Sequence, residues 1–413
     1  MEKISSRAKK IAWLLTLVYF ASYLMRINFA VMIVKICSDM NVEKSALAIV
    51  VTGLTITYGA GQVISGFLGD KFKPKDMLTF GLLLASACNI AMFFCHSIPI
   101  MTVVWCVNGF AHAMLWPPIV RLMSTYLTDI EYSYSAVRVS WGSSFATILL
   151  YSVCPLMLYV MNWRTVMLVC AGGGLAIAIA WLLLNKKLFV APAESGKATR
   201  TASVADGERL PLPKYVYFPI VLIMLGIILQ GVLRDGVQNW MPSYLLETFN
   251  MSEENAIFST VILAIFSIIS FAVFDFVHRK LFKNEVFCAA MIFAFSAVSA
   301  AVLYVVNLFT DLAVVSMLLM AFISAGMHGI NLMLITVVPK RFVKSGKVST
   351  FSGILNACTY IGAAASTYGF AVLAENFGWG FTILMWVFVA AAGLAVCLGA
   401  TPIWKKFRKD YSG

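Results

Sequence analysis

The stretch that decides the fold is Trp13–Ile36, WLLTLVYFASYLMRINFAVMIVKI, in which Arg26 lies near the middle of a largely apolar run. A helix of this length can cross the roughly 30 Å hydrocarbon core of a bilayer. A second such run, Tyr217–Leu246, contains Arg234. An arginine at that depth costs roughly 2.5–3.5 kcal/mol on insertion scales, so it is rarely retained without a function. The two arginines therefore predict a paired anion-binding device.

The composition of the whole chain predicts an integral membrane protein. Hydrophobic residues make up 61% of the sequence, charged residues make up 12%, and the mean hydropathy is +0.87, which excludes an ordinary soluble domain. Long apolar runs recur along the chain, and each is a candidate transmembrane helix. The twelve predicted segments cover residues 11–36, 45–68, 77–95, 99–124, 134–160, 164–184, 215–246, 253–277, 284–306, 311–338, 348–374 and 379–403.

The net charge of +12 follows the positive-inside pattern of membrane proteins rather than that of a nucleic-acid-binding protein. Most lysines and arginines fall in the segments that share a side with the N-terminus. The first apolar run is too long for a signal peptide, and no small-residue cleavage site follows it. We therefore expect a multi-pass protein of the plasma membrane, the inner membrane in a bacterium, with both termini in the cytoplasm.

The sequence offers no signal for an enzyme. The nine cysteines form no C-x-x-C pair and lack the spacing of metal ligands, so neither a metal site nor a disulfide framework is expected. No catalytic nucleophile and no nucleotide-binding loop is recognisable. We predict no catalytic residue, no cofactor and no nucleic-acid partner.

The two halves of the chain have the same predicted organisation and share matching residues. Residues 1–184 are predicted to form an N-terminal six-helix bundle, residues 185–214 a polar cytoplasmic linker, and residues 215–413 a C-terminal six-helix bundle. Three landmarks recur at similar separations, and they are the pairs Arg26 and Arg234, Asp70 and Asp275, and His112 and His328. Such duplicated halves, with the substrate site between them, are an established transporter architecture.

The segment Gly66–Lys75, GFLGDKFKPK, resembles the loop between helices two and three of the major facilitator superfamily. That resemblance implies an all-α membrane fold of twelve transmembrane helices in two pseudo-symmetric six-helix bundles. It also implies a conformational role for Asp70 and its counterpart Asp275. Arg121 is expected to pair with a carboxylate such as Asp70 and to act in gating. The alternative is that Gly66–Lys75 is a plain cytoplasmic turn.

A narrower resemblance is to the organophosphate:inorganic phosphate antiporters, which include glycerol-3-phosphate and hexose-6-phosphate carriers. It rests on Arg26 with Asn28-Phe29-Ala30, on Tyr58-Gly59, on Asn108-Gly109-Phe110 with Trp116-Pro117-Pro118, and on Arg234-Asp235-Gly236 with Trp240-Met241-Pro242. The resemblance implies that Arg26 and Arg234 grip the phosphate. A guanidinium presents a planar fork of donors that matches phosphate oxygens.

Helical spacing places further polar side chains near the two arginines. The residues predicted to bind substrate are Arg26, Arg234, Tyr23, Tyr58, Gln62, Trp116, Ser144, Asp235, Gln238 and Asn356. The sequence departs from the family pattern at Ile27, Gln62 and Ser144, where familiar members carry basic residues. The pocket is therefore expected to be less positive than theirs.

The role of Asp235 stays open at the level of sequence. Asp235 could hold Arg234 in place when the site is empty, bind substrate hydroxyls, or carry a proton. His112 and His328 could titrate near neutral pH, but a hydrogen-bonded packing role is favoured for both.

We expect the chain to exchange a phosphorylated metabolite for inorganic phosphate by alternating access, acting as a monomer in the lipid bilayer. Two alternatives remain. One is an ion-coupled symporter of organic anions, and the other is a transporter-like membrane sensor of a sugar phosphate.

Overall fold

The computed structural model describes residues 4–189, 210–252, 259–309 and 312–411. The regular elements in this part of the chain are helical. In the first half, the helices run over α1 (Ser6–Val31), α2 (Ile33–Met40), α3 (Lys44–Lys71), α4 (Pro74–Phe94), α5 (Ile98–Ala113), α6 (Trp116–Tyr126), α7 (Asp129–Val160) and α8 (Trp163–Leu188).

The second half continues the pattern after a short 3-10 turn, Lys214–Val216. Its helices are α9 (Tyr217–Phe249), α10 (Val261–Lys280), α11 (Glu285–Phe309), α12 (Ala313–Asn331) and α13 (Val348–Asp410). A π-helix, Leu332–Val337, and a 3-10 helix, Val338–Ser345, connect α12 to α13. A π-helical stretch inside a membrane helix is a local irregularity of the kind that occurs at functional sites.

The predicted all-α membrane fold is confirmed. Eleven helical stretches in the described part of the chain are long and apolar enough to cross a bilayer. The last of them, α13, has non-helical backbone at Gly378 (φ 78°, ψ 174°), so it consists of two consecutive helices. Only glycine tolerates this conformation at low cost. Counting both parts of α13 gives twelve segments, as the sequence predicts.

Some predicted segments are interrupted within their length. The segment 99–124 is split at Met114 and Leu115 into α5 and α6. The reason is the pair Pro117 and Pro118, because proline lacks the backbone N–H group that the preceding turn requires and its ring crowds that turn. The first segment similarly divides at Met32 into α1 and α2.

The chain forms two compact units. The first contains residues Met1–Leu210 and Phe342–Ile354. Within it α1 packs against α7 and α8, α3 packs against α5, and α4 packs against α8. A side chain at Gly142 of α7 would meet the carbonyl oxygen of Thr16 at 2.6 Å, so α1 and α7 approach more closely there than any other residue would permit.

The second unit contains residues Pro211–Arg341 and Leu355–Gly413. Helices α9, α10 and α11 all pack against α12. The predicted bundle boundaries at residues 184 and 214 stay a prediction, and most of the linker between them, residues 190–209, lies outside the described residues.

A buried carboxylate ties three elements of the second unit together. Glu285, at the start of α11, is fully buried. Its oxygens accept hydrogen bonds from Arg341 Nε at 2.9 Å and from Trp404 Nε1 at 3.1 Å, and a third contact joins it to Arg408 Nη1 at 3.4 Å. A buried carboxylate with this many donors is compensated, whereas the same group with its partners removed would be strongly destabilising.

We expect Glu285→Gln to destabilise the second unit, because two guanidinium groups would lose their counter-charge. The loss should lie towards the low end of about 3–5 kcal/mol, since both arginines are partly exposed. The measurement is the unfolding temperature of the purified protein in detergent. Asp39→Asn, which breaks the exposed Lys35–Asp39 pair, is the matched control and should cost about 1 kcal/mol or less. Equal losses in the two variants would contradict this assignment.

Candidate functional site

In the first unit, Arg26 is surrounded by aromatic rings. Only 9% of Arg26 is exposed, although α1 is a membrane-spanning helix. The guanidinium carbon Cζ lies 4.1 Å from the ring centroid of Tyr23 and 4.6 Å from that of Tyr58. A cation over an aromatic face is stabilised by about 0.5–2 kcal/mol, more when water is excluded. The rings therefore help to hold a full positive charge inside the helix bundle.

The aromatic surroundings of Arg26 extend to Trp116 on α6. The ring of Tyr19 lies 5.2 Å from that of Tyr23 and 4.9 Å from that of Trp116. Three predicted site residues, Tyr23, Tyr58 and Trp116, thus belong to one cluster with Arg26. The indole Nε1 of Trp116 is buried without a hydrogen-bond partner among the described residues.

Gln62 follows Tyr58 by one turn of α3 and is fully buried. Both polar atoms of its amide group lack a hydrogen-bond partner within the described residues. A buried amide that stays unsatisfied costs about 1–3 kcal/mol, so an arrangement of this kind marks a place where a polar ligand would be stabilising. Ser144, the remaining predicted site residue of this unit, is buried on α7.

Three asparagines fix the part of α1 that carries Arg26. Asn89 of α4 and Asn108 of α5 both donate to the carbonyl oxygen of Met25, at 2.9 Å and 3.1 Å. Asn28 donates to Oδ1 of Asn89 at 2.8 Å. All three asparagines are completely buried. They hold α1 against α4 and α5 directly beside Arg26, and so they position its side chain.

This asparagine network is not predicted from the sequence motifs. Asn28 and Asn108 are parts of the motifs quoted above, whereas Asn89 lies outside them. The available signal was an asparagine in each of three apolar segments, because polar residues inside membrane helices are expensive and usually bonded to another helix. His112 has a related role, since its Nδ1 lies 3.1 Å from the hydroxyl of Ser22 on α1.

In the second unit, Arg234 is held by its own neighbour, Asp235. Nε of Arg234 donates to Oδ1 of Asp235 and Nη2 donates to Oδ2, both at 2.9 Å. The side chains of Arg234 and Asp235 are 17% and 19% exposed, so both are partly accessible to a ligand or to solvent. Of the three roles that the sequence leaves open for Asp235, this bidentate pair corresponds to holding Arg234 in place.

The other predicted residues of the second unit differ in their exposure. Gln238, one turn after Arg234, is exposed, whereas Asn356 of α13 is buried. Gln230, one turn before Arg234, donates to the carbonyl oxygen of Met327 at 3.1 Å. Arg234 thus lies on a polar stripe of α9 that becomes more exposed along the helix.

Asp70 binds the start of α13. Its two carboxylate oxygens accept hydrogen bonds from the backbone N–H groups of Ser349 and Thr350, both at 2.9 Å. These N–H groups belong to the first turn of α13, where helical hydrogen bonding leaves donors unsatisfied and the helix dipole favours a negative charge. The segment Phe342–Ile354 groups with the first unit, so this contact lies within that unit.

Two glycines allow α3 to approach this turn closely. A Cβ atom at Gly66 would lie 2.8 Å from the carbonyl oxygen of Ser349, and one at Gly69 would lie 2.7 Å from its Cβ atom. The Gly66–Lys75 segment is therefore more than a plain turn, because it carries a close helix contact and a buried carboxylate.

Arg121 and Asp275 have partners that the sequence does not specify. Arg121 donates to the carbonyl oxygens of Gly69 and Phe72, and it also lies close enough to Asp70 to interact electrostatically with the expected carboxylate. The sequence indicates the carboxylate partner of Arg121 but not the main-chain groups that Arg121 and Asp70 also bind. Asp275 accepts from Arg279 Nη2 at 2.8 Å on the same helix, α10. The gating roles of all three residues stay predictions.

Among the described residues, no cluster of three or more histidine, cysteine or acidic side chains is arranged to hold a metal ion. None of the nine cysteines, all of which are described, is in a disulfide.

Among the known proteins that this chain resembles, three relatives illustrate alignments over most of its length. A probable hexose phosphate transport protein of Chlamydia muridarum is 22% identical, over 94% of this chain and 88% of its own length. The glycerol-3-phosphate transporter of Bacillus subtilis is 24% identical, over 89% and 86%. The membrane sensor protein UhpC of Salmonella typhimurium is 23% identical, over 92% and 88%. None of the three is named as an enzyme, in agreement with the prediction for this chain.

Among solved structures, the proton:xylose symporter XylE bound to 6-bromo-6-deoxy-D-glucose superposes with a TM-score of 0.75 at 14% identity, over 96% of this chain and 95% of that one. This similarity shows the fold. The sequence profile of the Major Facilitator Superfamily matches residues 15–367. The chain is a multi-pass membrane protein, and it belongs to the Major Facilitator Superfamily.

Proposed function

We propose that this protein is a secondary transporter that exchanges a phosphorylated small metabolite, of the sugar phosphate or glycerol phosphate class, for inorganic phosphate. The observation that carries the proposal is the pair Arg26 and Arg234, each inside the first helix of its unit. The names of the hexose phosphate and glycerol-3-phosphate transporters among its relatives support the substrate class.

The chemistry of the two arginines favours a phosphate over a neutral sugar. A guanidinium is always charged and offers paired donors to two oxygens of one phosphate. Arg26 keeps its charge beside the electron-rich faces of Tyr23 and Tyr58, which bind the cation without the competition that a carboxylate would offer a phosphate. We propose that one anion binds Arg26 and Arg234 together, with Gln62, Ser144, Gln238 and Asn356 contacting its polar groups.

Exchange follows from the cost of closing an empty site. Even with Asp235 paired to Arg234, an empty site keeps a net positive charge, which would be destabilised if closing removed its water without supplying an anion. A bound phosphate removes that penalty. A carrier with a bound anion can therefore expose its site to the other side of the membrane, whereas an empty carrier cannot. We further propose that both termini are cytoplasmic and that the monomer is the functional unit.

Transport in reconstituted vesicles tests the function. Vesicles loaded with inorganic phosphate should take up labelled glycerol 3-phosphate or glucose 6-phosphate, and empty vesicles should not. The reason is that the binding site can face the outside again only after it has bound phosphate on the inside. Uptake that needs a proton or sodium gradient instead would favour the symporter. Saturable binding without uptake would favour a sensor, the alternative that the similarity to UhpC supports.

We expect Arg26→Lys and Arg234→Lys each to weaken phosphate binding by about 10- to 100-fold. Lysine keeps the charge but loses the planar fork, a charge-assisted hydrogen bond contributes about 1.5–3 kcal/mol, and 1.4 kcal/mol is a factor of ten. Isothermal titration with inorganic phosphate measures the effect. Arg164→Lys, which changes an arginine bonded to the Cys95 carbonyl oxygen, is the matched control and should bind normally. Wild-type affinity in both site variants would refute the assignment.

We also propose that the contact between Asp70 and α13 forms in one conformational state and opens in another. Asp70→Asn removes the negative charge at the helix N-terminus, which is worth about 1 kcal/mol, or a factor of about five in an equilibrium. Amide hydrogen exchange of a peptide covering residues 347–354 should therefore quicken by about that factor. The exposed neighbour Asp76, changed to asparagine, is the control. Unchanged exchange in Asp70→Asn would show that the contact does not hold the helix.

A further inference from the structure

Asp235 gives Arg234 a resident counter-charge. Successive residues on a helix diverge by about 100° and do not normally face each other. The bidentate pair therefore requires the arginine side chain to turn back onto its neighbour, and both N–H···O distances are 2.9 Å. Two parallel charge-assisted bonds of this kind are among the strongest that a side-chain pair can make. An incoming anion meets Arg234 with this carboxylate already bound to it.

The formal charge of the proposed site follows from its residues. Of the ten side chains predicted to bind substrate, only Arg26, Arg234 and Asp235 are formally charged at neutral pH, and their sum is +1. Gln62, fully buried one turn after Tyr58, is neutral. The rings of Tyr23 and Tyr58 stabilise Arg26 without changing this sum.

A site of charge +1 is best matched by an anion of charge −1. In a space with little water, an uncompensated charge is costly, and a doubly charged guest would leave one negative charge in excess. We infer that Asp235 makes this site select singly charged phosphate esters over doubly charged ones. The inference rests on the proposed function and specifies the ionic form of its substrate.

Few other titratable groups surround the Arg234–Asp235 pair in the described part of the second unit. Helix α9 packs against α12, the 332–337 π-helix and α13. Among the residues of α12, His328 is the one titratable side chain, and it lies close enough to interact electrostatically with Arg234. The π-helix has no titratable side chain. Helix α13 contacts α9 through Thr359 at Gly231 and Phe370 at Gly236, and through the thiol of Cys397 at Gly226, about two turns before Arg234.

The test compares two ligands that differ in one ionisation. With a second pKa near 6, about three quarters of a phosphate monoester is singly charged at pH 5.5 and about 3% at pH 7.5. The matching sulfate monoester is singly charged at both values of pH. Titrations with glycerol 3-phosphate and glucose 6-phosphate, each beside its sulfate analogue, therefore separate the charge of the ligand from any titration of the protein, including that of His328.

For the wild-type protein we expect the phosphate esters to bind roughly 20-fold more tightly at pH 5.5 than at pH 7.5, in proportion to their singly charged fraction. The sulfate esters should compete at both values, with little change between them. The change in phosphate-ester affinity is corrected for any change seen with the sulfate esters. If the corrected affinity at pH 7.5 equals or exceeds that at pH 5.5, the inference is wrong, and the proposed function is unaffected. If none of the phosphate and sulfate esters binds, both the inference and the proposed function are contradicted.

Asp235→Asn raises the charge of the site from +1 to +2 and should move its preference to the doubly charged ester. The ratio of the phosphate-ester affinities at pH 5.5 and pH 7.5 should fall from roughly 20 to about one or below. Glu247→Gln neutralises a carboxylate at the far end of the same helix, where Glu247 accepts from Trp379, and should keep the wild-type ratio. A wild-type ratio in Asp235→Asn would overturn the inference, and the wild-type titrations alone decide it if that variant does not fold.

Discussion

The structure depends on keeping two arginine charges inside membrane-spanning helices. Each unit solves this problem differently. The first unit places Arg26 against two tyrosine rings and fixes its backbone with buried asparagines, whereas the second pairs Arg234 with the adjacent carboxylate of Asp235. The tyrosine rings stabilise Arg26 without a negative charge that would compete with a substrate anion. The carboxylate of Asp235, in contrast, competes directly with a substrate anion for Arg234. The two arginines are therefore related by sequence position but differ in the resistance that they offer to an incoming phosphate.

Buried charges away from the proposed site are also compensated by specific partners. Asp70 is satisfied by two backbone N–H groups of α13, and Glu285 is satisfied by two arginines and an indole. The Asp70 contact uses main-chain donors that any helix N-terminus exposes, so it can be broken and formed again without stranding a charged side-chain partner. The Glu285 cluster would leave charged groups uncompensated if it opened. These differences favour the proposed conformational role for Asp70 and a structural role for Glu285.

The sequence predicted most of the fold because hydrophobic length and charge distribution leave little choice for a membrane chain. The twelve segments and the all-α class followed from apolar runs, and the breaks around Pro117 and at Gly378 follow from local backbone chemistry. Partners were harder to predict. The binding of Asp70 to main-chain N–H groups, of Arg121 to carbonyl oxygens and of Asn89 to Met25 depends on which helix faces reach each other. Spacing within one helix does not contain that information.

Binding of inorganic phosphate in a double-mutant cycle of Arg26→Lys and Arg234→Lys tests the central claim most directly. If both guanidiniums grip one anion, the second substitution should cost much less once the first is made, with a coupling energy in the range of about 0.5–3 kcal/mol. Losses that simply add, each arginine acting as though the other were absent, would contradict a shared site.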